Sequence, residues 1–79
     1  MKLLKDLNWQ KVSDIWDKAF VSSNVVLFRA TQDDNPFGPY FLRVLRDDFG
    51  ERTDDRGNLS PLEAQCLLFH YLGGNDEAQ

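Results

Sequence analysis

Val25-Val26-Leu27-Phe28 is the stretch on which the reading of the fold turns. It is continuous, apolar and partly β-branched. It suits a short buried strand and a turn of helix equally well, because periodicity cannot separate the two over so few residues. Ser22-Ser23-Asn24 sets it apart from what precedes. Ser22 or Ser23 makes a good helix cap, whereas a lone strand in so short a chain has to find an edge to pair with. These two points favour a short helix. The alternative is an α+β arrangement in which Val25–Phe28 forms a hairpin with a strand in Tyr40–Arg46.

Working outward, Asn8 is a good N-cap, and Trp9, Val12, Ile15, Trp16, Ala19 and Phe20 follow it at three- and four-residue spacings. At 100° per residue they cover one arc of about 140°. The spacing predicts a helix from Trp9 to about Phe20, with Leu7 stapled onto Val12. On the other side, Asp33-Asp34-Asn35-Pro36-Phe37-Gly38-Pro39 is dense in turn formers and reads as a loop. Its Phe37 is expected to tuck back onto the core, with a protruding binding anchor as the other reading.

Pro39 then opens a predicted helix over Tyr40–Phe49, closed by Gly50. Phe41, Leu42, Val44, Leu45 and Phe49 share one side of it, and Arg43, Arg46 and Asp47 the other. The last element has the strongest start signal, Ser60-Pro61-Leu62-Glu63, and runs to Gly73-Gly74. Only Glu63, Gln65 and His70 interrupt its apolar surface between Leu62 and Leu72. A helix so apolar is either the central one or leaves a stripe for a partner, including a second copy of the chain. The expected architecture is therefore mainly α, one small domain over 1–79 of three to four helices with the C-terminal helix central. Its ends, 1–6 and 73–79, are expected to be flexible.

Composition narrows the function classes. With 42% hydrophobic, 13% aromatic and 28% charged residues, the 79-residue chain is neither a disordered tail nor a disulfide scaffold. Nine Lys+Arg against thirteen Asp+Glu leave a net charge of −4, the wrong sign for a protein that neutralises phosphates, so direct nucleic-acid binding is not expected. No apolar run is long enough for a secretory signal or a membrane span. Cys66, the sole cysteine, reads as a small buried hydrophobe, and a cytoplasmic location is expected.

Between Arg46 and Glu63 the charges interleave: Arg46-Asp47-Asp48, Glu51-Arg52, Asp54-Asp55-Arg56. The stretch Arg52–Glu63 resembles the EF-hand calcium loop. Gly57 falls on the sharp-turn glycine, Asp54 on the third loop position, Leu59 on the hydrophobic eighth, Ser60 on the ninth and Glu63 on the bidentate twelfth. The first and fifth ligand positions are Arg52 and Arg56, cations where oxygen donors are required. The resemblance therefore implies at most a helix-loop-helix shape without metal. His70 with Cys66 lacks the further ligands a zinc ion needs. The serines Ser13, Ser22, Ser23 and Ser60 are explained as caps, turns or solvent-facing groups, and no phosphate loop exists. Catalytic residues, metal and cofactor are thus not expected.

What remains is a non-enzymatic interaction protein, an adaptor or inhibitor of a larger complex of the kind common among phages and mobile elements. Its candidate contacts are Phe37, Arg46, Asp47, Glu51, Arg52, Asp54, Asp55 and Arg56, with an apolar stripe on the last helix. The alternative is a helix-loop-helix module responding to a cation or a nucleic acid.

Overall fold

A computed structural model describes residues 2–47, 49 and 51–72. In it a five-stranded antiparallel sheet carries one α-helix on one face, which overturns the mainly helical expectation. The strands are β1 (Gln10–Lys11), β2 (Trp16–Ser22), β3 (Val25–Ala30), β4 (Tyr40–Leu45) and β5 (Thr53–Leu59), and the helix α1 is Pro61–Tyr71. Strand order follows chain order, so every pairing is between sequence neighbours and no crossover is needed. A 3₁₀ turn at Leu4–Asp6 precedes the sheet.

Three predicted helices are strands. The Trp9–Phe20 pattern divides into β1, a bend, and β2. Val12 and Ile15 of its supposed apolar arc are exposed, so the staple of Leu7 onto Val12 does not form. Val25–Phe28 belongs to β3, which pairs with β4 from Val25↔Val44 to Arg29↔Tyr40. The Tyr40–Phe49 helix is replaced by β4 and a turn, in which Phe49 stands 85% exposed. Its expected cap Gly50, like residues 73–79, lies outside the described residues. The Arg52–Glu63 stretch is no loop between helices either, because β5 occupies most of it.

The reason is common to all three. An antiparallel sheet with one wet face writes a clean apolar–polar alternation, and this sheet does not have one. Alternation places Ala19, Leu27, Leu42 and Val44 beneath α1, where each is buried. It places Trp16, Phe28 and Phe41 on the opposite face, and these are also apolar. Strands apolar on both sides lose the two-residue period and imitate helix patterns.

The core lies between sheet and helix. Leu27, Leu42 and Leu68 are its largest fully buried side chains, joined by Val25, Val44, Leu59 and Ala64. Helix α1 forms where its start signal predicts. The Ser60 hydroxyl accepts from the Glu63 N–H at 3.1 Å, and the Ser60 N–H donates to the Glu63 carboxylate at 3.0 Å, with Pro61 in the first turn. It is not enclosed on all sides, however. Ala64 and Leu68 face the sheet, while Leu62 is 73% exposed and Cys66 is exposed, contrary to its reading as a buried hydrophobe.

The amino-terminal segment is tied to this helix. Gln65 accepts from the Leu4 N–H at 3.0 Å and donates to the Lys2 carbonyl at 2.9 Å. Trp9 closes one end of the core, its indole donating to the Leu4 carbonyl at 2.8 Å, with the Arg29 guanidinium 4.3 Å from its ring centre.

Candidate interaction surface

The face of the sheet away from α1 is built from adjacent positions of β2, β3 and β4. Phe28 stands directly opposite Phe41 across the β3–β4 pairing, and Trp16 lies on the neighbouring strand. Their rings form a closed triangle: Trp16 to Phe28 and Trp16 to Phe41 at 6.1 Å each, and Phe28 to Phe41 at 5.9 Å, all edge to face. Such pairs contribute roughly 0.5–1.5 kcal/mol apiece beyond the area they bury. The mutual packing fixes the rings in place while leaving each partly exposed.

Gly57 on β5 makes room for this cluster. A Cβ at that position would stand 3.3 Å from Cδ2 of Phe41, tighter than ordinary van der Waals contact, so the missing side chain lets the Phe41 ring lie against the β5 backbone. The register shifts here between Tyr40 and Leu42, and Asn58 next to it adopts a positive φ of 55°, which Asn tolerates better than most residues. Gly57, which the calcium-loop resemblance places at a sharp turn, thus forms with Asn58 a bulge in an edge strand that re-aims it beneath an aromatic ring.

Phe37 completes the site from the β3–β4 loop. It is 58% exposed, so the expectation that it tucks into the core fails. Its N–H donates to the Asn35 side chain at 2.8 Å, and its carbonyl accepts from the Asn58 N–H at 3.0 Å, which anchors the loop to β5. Gly38 beside it approaches β3 so closely that a Cβ there would come within 2.6 Å of the Ala30 Cβ. With Trp16, Phe28 and Phe41, Phe37 lines an open concavity of about 470 Å³ whose polar rim is Arg43 and Asp55.

Arg43 and Asp55 face each other across β4 and β5. Nε and Nη2 of the guanidinium donate to the two carboxylate oxygens at 3.0 and 3.2 Å, a bidentate fork. The guanidinium also lies 5.8 Å from the Phe28 ring centre and 5.5 Å from that of Phe41. Hydrogen bonding to Asp55 raises the Arg43 pKa above its ordinary value, against a smaller opposing effect of burial. The ionisable groups of the concavity therefore satisfy one another.

The candidate residues do not form one surface. Asp55 and Phe37 meet at the aromatic concavity. Arg46, Asp54 and Arg56 lie on the opposite face, where Arg46 pairs with Asp54 beside a second cleft of about 500 Å³ between the sheet and the Leu67, His70 and Tyr71 side of α1. Arg43 and Arg46, placed on one helix face by the sequence pattern, are thus on opposite sides of the sheet. Asp47, Glu51 and Arg52 sit in the β4–β5 turn, held by a bond from the Glu51 N–H to Asp47 at 2.9 Å and another from the Arg46 N–H to the Arg52 carbonyl at 2.7 Å. In the stretch that resembles a calcium loop, Asp54 is engaged by Arg46, and Ser60 and Glu63 by each other.

Trp16, Phe28, Phe41 and Arg43 were not among the candidate residues. The signal that identifies them is a segregation by parity. Read with a two-residue period, the aromatics of β2, β3 and β4 fall on one register except for Tyr40, and the aliphatics Ala19, Leu27, Leu42 and Val44 on the other.

No helix among the described residues is long and apolar enough to cross a membrane. Comparison of the chain with protein-family models, with curated proteins and with solved structures finds no match.

Proposed function

We propose that the protein is a non-enzymatic interaction module, an adaptor or inhibitor, that docks a partner protein on the open face of its sheet. The observation that carries this reading is the aromatic concavity itself, in which partly exposed Trp16, Phe28 and Phe41 lie beside the protruding Phe37 and the forked Arg43–Asp55 pair. Aromatic residues and arginine are the side chains that most often carry the binding energy of protein interfaces, and a rigid, pre-packed set loses little entropy on binding. The neutralised polar rim argues for recognition and not for acid–base chemistry, which needs an ionisable group left poised. The net charge of −4 argues for a protein partner over a nucleic acid. A lone exposed thiol at Cys66 suits a reducing compartment, which supports a cytoplasmic site of action.

Affinity capture with paired variants tests the reading, because Asp54 and Asp55 are sequence neighbours on opposite faces. Phe37→Ala and Asp55→Asn should each reduce stoichiometric capture of the partner, while Asp54→Asn and Leu62→Ala leave it unchanged. Loss with Asp54→Asn or Leu62→Ala and retention with Phe37→Ala would move the site to the helix side of the sheet.

A further inference from the structure

We infer that the aromatic concavity takes an arginine side chain from a basic segment of the partner. This rests on the docking reading above and names the chemistry of its occupant. Three features of the site converge on a guanidinium.

The first is charge. Within the concavity Arg43 and Asp55 cancel, but the loop that supplies Phe37 also carries Asp33 and Asp34, both exposed and in no ion pair with a described residue. That loop adds two unpaired negative charges within four residues of Phe37, and the molecule as a whole carries −4. Lys18, the other cation of this face, directs its ammonium over Phe20, 5.5 Å from that ring centre, and does not line the concavity.

The second is the lining. Phe37 and Trp16 offer electron-rich ring faces, to which a cation is attracted more strongly as water is excluded. A planar guanidinium stacks on such a face and keeps its edge donors available, which an ammonium does not.

The third is that the chain already displays this recognition on itself. The Arg43 guanidinium sits over Phe28 and Phe41 while forked onto Asp55. A carboxylate offers about four acceptor sites. Arg43 uses two of those on Asp55, whose side chain is still 37% exposed. The remaining ones are left for the edge donors of an incoming guanidinium in the concavity that Asp55 shares with Phe37 and Trp16.

The test is a titration of the isotope-labelled protein, followed by amide and indole NMR shifts, with a Gly/Ser peptide bearing arginine. Parallel titrations use the same peptide with citrulline, a neutral isostere, and with lysine, an acidic aromatic peptide, and oligothymidylate. The expected result is movement of the Trp16 indole and of the Phe37 and Asp55 amides. Citrulline should bind about two- to thirty-fold more weakly. Phe37→Ala and the Asp33→Asn/Asp34→Asn pair, all at exposed loop positions, should weaken the arginine peptide, the carboxamide pair more so at low salt.

Equal binding of the citrulline or the lysine peptide would overturn the inference, as would stronger shifts at these residues with the acidic peptide or the oligonucleotide. So would the absence of shifts at this face with the arginine peptide. If the paired-variant capture still maps a partner to the open face, only the identity of the occupant has failed. If capture maps elsewhere, the docking reading has failed with it.

Discussion

Replacing Phe41 with alanine separates the rings that hold the open face together from the one that projects from it. Phe41 makes two of the three edge-to-face contacts in the cluster, with Trp16 at 6.1 Å and Phe28 at 5.9 Å. At roughly 0.5–1.5 kcal/mol per aromatic pair, those contacts alone are worth about 1–3 kcal/mol. The ring is only half-buried, so the total should stay near the low end of the roughly 3–5 kcal/mol lost when a fully buried phenylalanine is truncated. A cost of about 2–3 kcal/mol is expected.

Phe37, 58% exposed and in none of the ring pairs, should cost under about 0.5 kcal/mol when replaced in the same way. Urea unfolding followed by far-ultraviolet circular dichroism measures both, with an unchanged denaturant slope showing that the unfolded state is comparable. A Phe37→Ala cost matching that of Phe41→Ala would mean that Phe37 is core, and the concavity would lose its wall. A Phe41→Ala cost below about 0.5 kcal/mol would mean that the ring triangle is not packed as described.

Three further outcomes follow from the packing and the cap. Leu68→Ala, at a fully buried position of α1, should lose about 2–5 kcal/mol, whereas Leu62→Ala on the exposed side of the same helix should stay within about 0.5 kcal/mol, both read from urea midpoints. Gly38→Ala should destabilise by about 1–3 kcal/mol because its Cβ meets the Ala30 Cβ, and adding Ala30→Gly should recover part of that loss by removing the opposing atom. The Glu63 carboxylate accepts from the Ser60 N–H, and this bond, helped by the Ser60 hydroxyl, holds its pKa below the usual carboxylate range. Its contribution is therefore complete above that range and lost as the pH falls through the lowered value. A Glu63→Gln variant should show a smaller drop in melting temperature than wild type between about pH 6 and about pH 3.

The helix was legible because its signal is local. Ser60, Pro61 and Glu63 act within one turn, and no distant contact is needed to make them a cap. The strands were not, because their signal depends on which side of the sheet meets water. In β4, Tyr40, Leu42 and Val44 face the helix while Phe41 and Leu45 face away, so apolar residues follow one another with only Arg43 to mark an alternation. The same side chains that make the open face a candidate surface erased the two-residue period that would have revealed it.

β5 was hidden for the opposite reason. Thr53-Asp54-Asp55-Arg56-Gly57-Asn58 is poor in strand formers and rich in turn residues, and it is a strand because β4 offers it an edge. Charged side chains along such an edge discourage further pairing with other chains. At the site, Phe37 and Asp55 were recognised from the sequence as odd or charged residues in apparent loops. Trp16, Phe28 and Phe41 were absorbed into imagined helix cores, where aromatic residues need no further explanation.

The two tryptophans provide the most direct measurement of where the protein binds. Trp16 is on the open face, and Trp9 packs at the helix side under Arg29. With both replaced by 5-fluorotryptophan, fluorine NMR gives one signal for each face. On addition of the partner recovered by affinity capture, the Trp16 signal should shift or broaden while that of Trp9 keeps its position. Movement of the Trp9 signal with Trp16 unchanged would contradict docking on the open face.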